Sequence, residues 1–238
     1  MSAVLLALLL STPASAQMSG TYTIGGTSPT YTTIDAAVSA LNSTTVSGPV
    51  TFLIRSGTYT PSAALSLTPR TGMSATNTVT FRPDVGATVT ISASLGSSSI
   101  FRFNNGDYYV IDGSNTVGGS SQDMTIYNSN TSYGSCVLFE NNADYNVVRN
   151  CKMLSASYYA TTSYGAIVHF ATGGNDSNTV MRCQLGDPTG TVRAQYAVYA
   201  YGSSTSQFNI GDKVLECDIV NWGPTGYAST LYPAYLYY

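Results

Sequence analysis

Apolar and polar positions along this chain alternate in short runs, and the runs recur. The clearest is residues 137–153, VLFENNADYNVVRNCKM: a short apolar strand pattern, a polar Asn/Asp turn, then a second apolar strand pattern. The same arrangement stands at residues 101–114 (FRFNNGDYYVIDGS), 168–185 (VHFATGGNDSNTVMRCQL) and 199–219 (YAYGSSTSQFNIGDKVLECDI). The aromatics that close the first strands, Phe103, Phe139, Phe170 and Tyr201, are spaced 36, 31 and 31 residues apart. Self-similarity at such a period predicts a stacked array of repeats. The segments are short, alternating and rich in Val, Ile, Phe and Tyr, which suits strands and not helices.

From each aromatic to the apolar residue of the second strand (Ile111, Val148, Val180, Val214) the gap grows from 8 to 9, 10 and 13 residues. A turn that lengthens while both strands keep their place is how a solenoid absorbs insertions. Val148, Val180 and Val214 each precede a cysteine (Cys151, Cys183, Cys217) by three residues, and Met153, Leu185 and Ile219 follow it by two. Like residues are therefore expected above one another, roughly 4.8 Å apart.

This pattern resembles the right-handed, single-stranded parallel β-helix of the pectin-lyase-like superfamily, an all-β solenoid, over nearly the whole chain after residue 16. The resemblance extends to the opening. Residues 33–41, TIDAAVSAL, give the one helical signal, with Thr33 as cap and Ile34, Ala37, Val38 and Leu41 on one face. Together with the strand at 50–54 and the Gly57-Thr58-Tyr59 that follows, they resemble the start of many secreted β-helix proteins, pectinesterases among them. There the helix covers the exposed end of the first rung, an edge that would otherwise invite aggregation. Further short strands are expected at 65–67, 79–81, 89–91 and 124–127, and long insertions at 155–164 and 187–195.

The expected organisation is a signal peptide at 1–16, a lead-in with capping helix at 17–48, and a β-helix at 49–238. Residues 3–10, AVLLALLL, are too short to span a bilayer, and Ala14-Ser15-Ala16 reads as a cleavage site, though no positive charge precedes the run. That address is secreted, extracellular or at the cell surface. The resemblance extends to secreted proteins of Bacteroidota-type bacteria, which continue into more rungs and a sorting domain. Residues 235–237 resemble another first strand, so the chain is expected to stop inside a rung, as a fragment. Self-association through that open rung is then a possible contact.

Charge narrows the partners. Only 9% of residues are charged, with 9 Lys+Arg against 12 Asp+Glu, so no basic nucleic-acid surface is expected. The aromatics and β-branched residues argue against disorder. The period-matched cysteines read as small buried hydrophobes more readily than as disulfides, and the lone His169 with no CxxC argues against a transition-metal site.

Three groups are candidates for chemistry. Asp107, Asp144 and Asp176 each lie four residues before a second-strand apolar position, so stacking brings the carboxylates into one column. Calcium, a hard ion served by carboxylate and carbonyl oxygens, would suit them; the plainer alternative has each Asp closing its own turn. Tyr158, Tyr159 and Tyr164 crowd one loop and could stack on sugar rings. His169 is expected on the outer face beside Leu138 and Ala200, in a structural role. Arg149 and Arg182 with the aspartates match a pectate lyase in residue type alone. The clustered Asp, Gly-His-Gly and Arg-Ile-Lys patterns of polygalacturonases are missing.

The sequence therefore reads as a secreted scaffold or binding module that contacts a polysaccharide or surface glycan. The alternatives are a polysaccharide lyase or glycoside hydrolase acting on an acidic polysaccharide, and a structural adhesin or filament segment.

Overall fold

The computed structural model describes residues 17–158, 165–202 and 207–223, together with 234–237, where only the backbone is described from 235 onward. Strand β1 (Gln17–Ile24) and helix α1 (Ile34–Asn42) come first. Six triplets of strands follow. They are β2 (Thr45–Ile54), β3 (Gly57–Tyr59) and β4 (Leu65–Leu67); β5 (Val79–Pro83), β6 (Val89–Ala93) and β7 (Ser98–Asn104); and β8 (Tyr109–Asp112), β9 (Met124–Asn128) and β10 (Gly134–Glu140). After these come β11 (Val147–Arg149), β12 (Cys151–Ser155) and β13 (Ala166–Phe170); β14 (Thr179–Met181), β15 (Gln184–Leu185) and β16 (Tyr196–Tyr201); and β17 (Lys213–Leu215), β18 (Asp218–Ile219) and β19 (Ala234–Tyr237).

Members of successive triplets pair in parallel, and three sheets result: β1-β2-β5-β8-β11-β14-β17, β3-β6-β9-β12-β15-β18 and β4-β7-β10-β13-β16-β19. We call them sheets A, B and C. The protein is an all-β parallel solenoid of about six coils, as the repeat predicts. Its lead-in is itself part of the sheet, since β1 pairs along β2 from Gln17 to Ile24.

Each coil holds three strands where the sequence pattern suggests two. The second apolar run bends once, at Asn150, Arg182 or Glu216, whose φ values are 56°, 50° and 53°. A single left-handed residue turns the chain from sheet A into sheet B, and it shows in the sequence only as one three-residue step, Val148 to Cys151, before the two-residue step from Cys151 to Met153.

Register confirms the expected column of the second strand. Ile111, Val148, Val180 and Val214 pair in sequence across β8, β11, β14 and β17. In sheet C, Phe103, Phe139 and Phe170 pair in the same way. Tyr201 does not extend that column. Ala200 stands opposite Phe170, and Tyr201 pairs instead with Tyr237. β16 is longer than β13 by one residue at its end, and the inward parity falls on Val198 and Ala200.

The interior is a continuous apolar stack with aromatic ladders. Phe52 lies 4.6 Å from Phe81, and Phe139 lies 4.7 Å from Phe103 and 4.8 Å from Phe170, centroid to centroid. α1 buries Ile34, Ala37, Val38 and Leu41 against this core, and the Thr33 hydroxyl accepts the Ala36 N–H at 3.1 Å.

Cys151, Cys183 and Cys217 form a column whose links are not disulfides: the Cys151 and Cys183 amides donate to the next coil's sulfur at 3.5 Å. Cys136 sits apart, with its thiol directed at the carbonyls of Leu154 and Ile126. Burial pushes this thiol up to about 12. It is a packed core group and a poor nucleophile at neutral pH.

Val180 is fully buried between Val148 and Val214. Val180→Asp is expected to unfold the coils around it, because a buried unpaired carboxylate has no water and no partner. An unchanged melting temperature would contradict the packing described here.

Candidate functional site

The turn from sheet C into sheet A repeats with little variation and carries the polar groups of interest. Its levels align residue by residue. Gly106, Ala143, Asn175 and Asn209 occupy one column; Asp107, Asp144, Asp176 and Ile210 the next; Tyr108, Tyr145, Ser177 and Gly211 the third; and Tyr109, Asn146, Asn178 and Asp212 the fourth. Each contact below links one level to the next.

The predicted aspartate column exists. Asp107 Oδ1 accepts the Asp144 N–H at 2.8 Å, Asp144 Oδ1 accepts the Asp176 N–H at 2.7 Å, and Asp176 Oδ1 accepts the Ile210 N–H at 2.6 Å. These carboxylates bind the backbone of the following coil, where the plainer sequence reading placed each in its own turn. Partial burial raises the pKa of Asp107 and Asp144; the N–H of the next Asp opposes the shift, and that residue's charge adds to it. No group of three His, Cys, Asp or Glu among the described residues is placed to hold a metal ion. The column is a hydrogen-bonded ladder, and its Oδ1 atoms are already engaged.

The third column was not anticipated from sequence. Every member is in the left-handed region: Tyr108 at φ 60°, Tyr145 at 58°, Ser177 at 59° and Gly211 at 75°. A large side chain in that conformation is unusual away from glycine and asparagine. The two tyrosine rings lie flat on each other, 5.3 Å apart and 6° from parallel. Tyr145 remains 53% exposed although it stacks on Tyr108. The next two levels carry Ser177 and Gly211, so the column changes from rings to small residues. A step results: among the described residues, no third ring continues the column above Tyr145. Asn104 and Asn141 line the same turn, with Asn141 Nδ2 donating to Asn104 Oδ1 at 2.8 Å.

The fourth column holds the turn together. Asn146 and Asn178 are fully buried. Asn146 Oδ1 accepts the Tyr109 N–H at 2.9 Å, Asn178 Oδ1 accepts the Asn146 N–H at 3.0 Å, and Asp212 Oδ1 accepts the Asn178 N–H at 2.7 Å. The signal was in the sequence: Asn146, Asn178 and Asp212 each stand two residues before the stacked valine of the second strand.

The other candidates fall elsewhere. Tyr158 is 39% exposed, three residues beyond the end of the sheet B strand β12; Tyr159 and Tyr164 lie outside the described residues. Arg149 and Arg182 do not join the aspartate column. Arg149 Nε and a second guanidinium nitrogen both reach Asp112 Oδ2 at 2.9 Å, and Arg182 Nε donates to Asn150 Oδ1 at 3.2 Å. Both lie at the corner between sheets A and B, one strand away from the turn that carries the carboxylates. The lyase-like grouping suggested by residue type is therefore not assembled. Arg82 is buried at the end of β5 and donates to the Ser114 carbonyl.

His169 is paired with Leu138 and Tyr199, where Ala200 had been expected. It is buried, at 3% exposure, and its ring meets Tyr199 edge-on at 5.3 Å. Burial pushes its pKa down to about 3, so it is neutral at physiological pH. On the same outer face Arg102 Nε donates to Glu140 Oε1 at 2.5 Å. Asp187, which opens the 187–195 loop, accepts N–H groups from Thr189, Thr191 and Val192; these bonds, led by the Thr189 hydroxyl, lower its pKa.

Comparison with known proteins returned no matching family model, no matching curated protein and no matching solved structure. No helix among the described residues is long and apolar enough to cross a membrane.

Proposed function

We propose that this protein is a secreted or cell-surface β-solenoid that contacts glycan through the turn between sheets C and A. One observation carries the reading: Tyr145 presents an exposed ring face on a backbone conformation that disfavours large side chains, with stacked Asn and Asp side chains beside it. Sugar rings offer apolar C–H faces flanked by hydroxyls. A flat aromatic takes the face, and amide or carboxylate oxygens take the hydroxyls. The stack fixes the ring in place before the ligand arrives, which reduces the ordering cost of binding. The pectin-lyase-like appearance of the opening at 33–59 and the predicted signal peptide support the extracellular address.

The site extends the expected glycan contact from the Tyr158 loop to Tyr108 and Tyr145. Tyr145→Ala is expected to weaken retention on an immobilised glycan series roughly tenfold, consistent with the loss of one anchoring aromatic. Tyr158→Ala alone is expected to have a smaller effect. Retention unchanged in the Tyr145→Ala/Tyr158→Ala double variant would sink the proposal. Release of new reducing ends or unsaturated sugar by the unmodified chain would move it to the enzyme alternative.

A further inference from the structure

Asp212 occupies the third level of the buried amide column. The two levels before it use both ends of an asparagine. Asn146 Nδ2 donates to the Gly106 carbonyl at 2.8 Å and to Asn178 Oδ1 at 3.0 Å. Asn178 Nδ2 donates to the Ala143 carbonyl at 2.8 Å and to Asp212 Oδ1 at 3.1 Å. Each amide thus reaches back to a carbonyl of the preceding coil, three residues before that coil's own member of the column.

Asp212 reproduces only half of this. Its Oδ1 takes the Asn178 N–H and Nδ2. Its Oδ2 stands where the amide carries NH2, is buried, and has no hydrogen-bond partner among the described residues. By the register of the column, the carbonyl an NH2 would meet here is that of Asn175. Beside it lies a cavity of about 440 Å³, lined by Phe170, Val198, Phe208, Val214 and Ile219 among others, with Asp212 its one titratable group among the described residues.

We propose that Asp212 is a proton-operated latch on the coil that contains β17 and β18. As a neutral acid its Oδ2–H donates to the Asn175 carbonyl and completes the column as an asparagine would. When the proton leaves to solvent, acceptor faces acceptor and the coil loosens from the stack.

The electrostatics agree with this geometry. Burial raises the Asp212 pKa to about 7; the bonds from Asn178 oppose the shift, and the charges of Asp176 and Asp144 in the neighbouring column add to it. Lys213, next in the chain, is exposed. The sign follows from linkage. An unfolded Asp titrates near about 4, below the folded value. The folded coil binds the extra proton between these limits, so its stability is complete below about pH 4, falls by up to roughly tenfold in the opening constant per pH unit, and levels off above about pH 7.

The test is hydrogen exchange of residues 207–223 in the full chain, with protection factors corrected for intrinsic rates, from pH 5 to 8. The unmodified protein is expected to lose roughly 50-fold protection between pH 5 and pH 7. Asp212→Asn restores the NH2 and is expected to fold and stay level across the range. Parallel pH profiles in the two proteins, or constant protection in the unmodified one, overturn the proposal. A ¹³C carboxyl titration supplies a second reading: a midpoint near 7 supports the latch, and one near 4 removes it.

Discussion

Asn178→Ala is expected to lower the melting temperature by roughly 10 °C, far more than its single small side chain suggests. Asn178 serves three coils at once. It accepts the Asn146 N–H and one Asn146 side-chain proton, and donates to the Ala143 carbonyl and to Asp212 Oδ1. Alanine fills part of the volume and none of the bonds. The Asn146 amide and the Ala143 carbonyl would be left in the interior, where each unsatisfied group costs about 1–3 kcal/mol. Two such losses amount to about 4 kcal/mol, and a chain of this size loses about 2–4 °C per kcal/mol. Thr172→Ala is the control. That residue is exposed on the same turn, and its loss should fall within about 0.5 kcal/mol. Thermal unfolding of the two variants side by side decides the matter: equal midpoints would mean that the buried amide column carries little of the stability.

The chain displays its strands more openly than its turns, and the reason is physical. A stacked apolar column repeats a residue class, so Val148, Val180 and Val214 could be aligned by eye, and the register agrees. Corner residues repeat a backbone conformation instead. Asn150, Arg182 and Glu216 share a left-handed φ and no chemistry, so the third sheet could not be read from them. The site shows the same division. Asp107, Asp144 and Asp176 were found because they repeat at constant offset. Their partners were not, since an Asx turn within a coil and a ladder between coils leave the same residues in the sequence. Tyr108 and Tyr145 share their column with Ser177 and Gly211, so no residue type repeats along it, and only the φ values and the parallel rings place the two tyrosines together. Asn146 and Asn178 were hidden by the many other asparagines of the turns. Their offset from the stacked valine, shared with Asp212, is the feature that separates them.

Phe139→Ala is expected to be the most damaging single truncation in the core. Phe139 is fully buried and packs face to face with Phe103 on one side and Phe170 on the other, at 13° and 9° from parallel. Removing a buried phenylalanine costs about 3–5 kcal/mol in transfer and cavity energy, and each lost ring pair adds about 0.5–1.5 kcal/mol. Position in the array increases the effect. A solenoid is stabilised by contacts between neighbouring coils, so a defect at an end frays locally while one in the middle weakens two interfaces together. Val214→Ala, at a position 38% exposed in the last described coil, is expected to cost much less. Denaturant unfolding should show the Phe139→Ala midpoint falling with little change in slope if the coils still unfold as one unit, and a shallower slope if the array divides at the defect. The double variant Phe103→Ala/Phe139→Ala should lose less than the two single losses added, because the shared ring contact is removed only once. Strict additivity would mean that the rings stack without contributing coupling energy, and the aromatic ladder would then act through apolar burial alone.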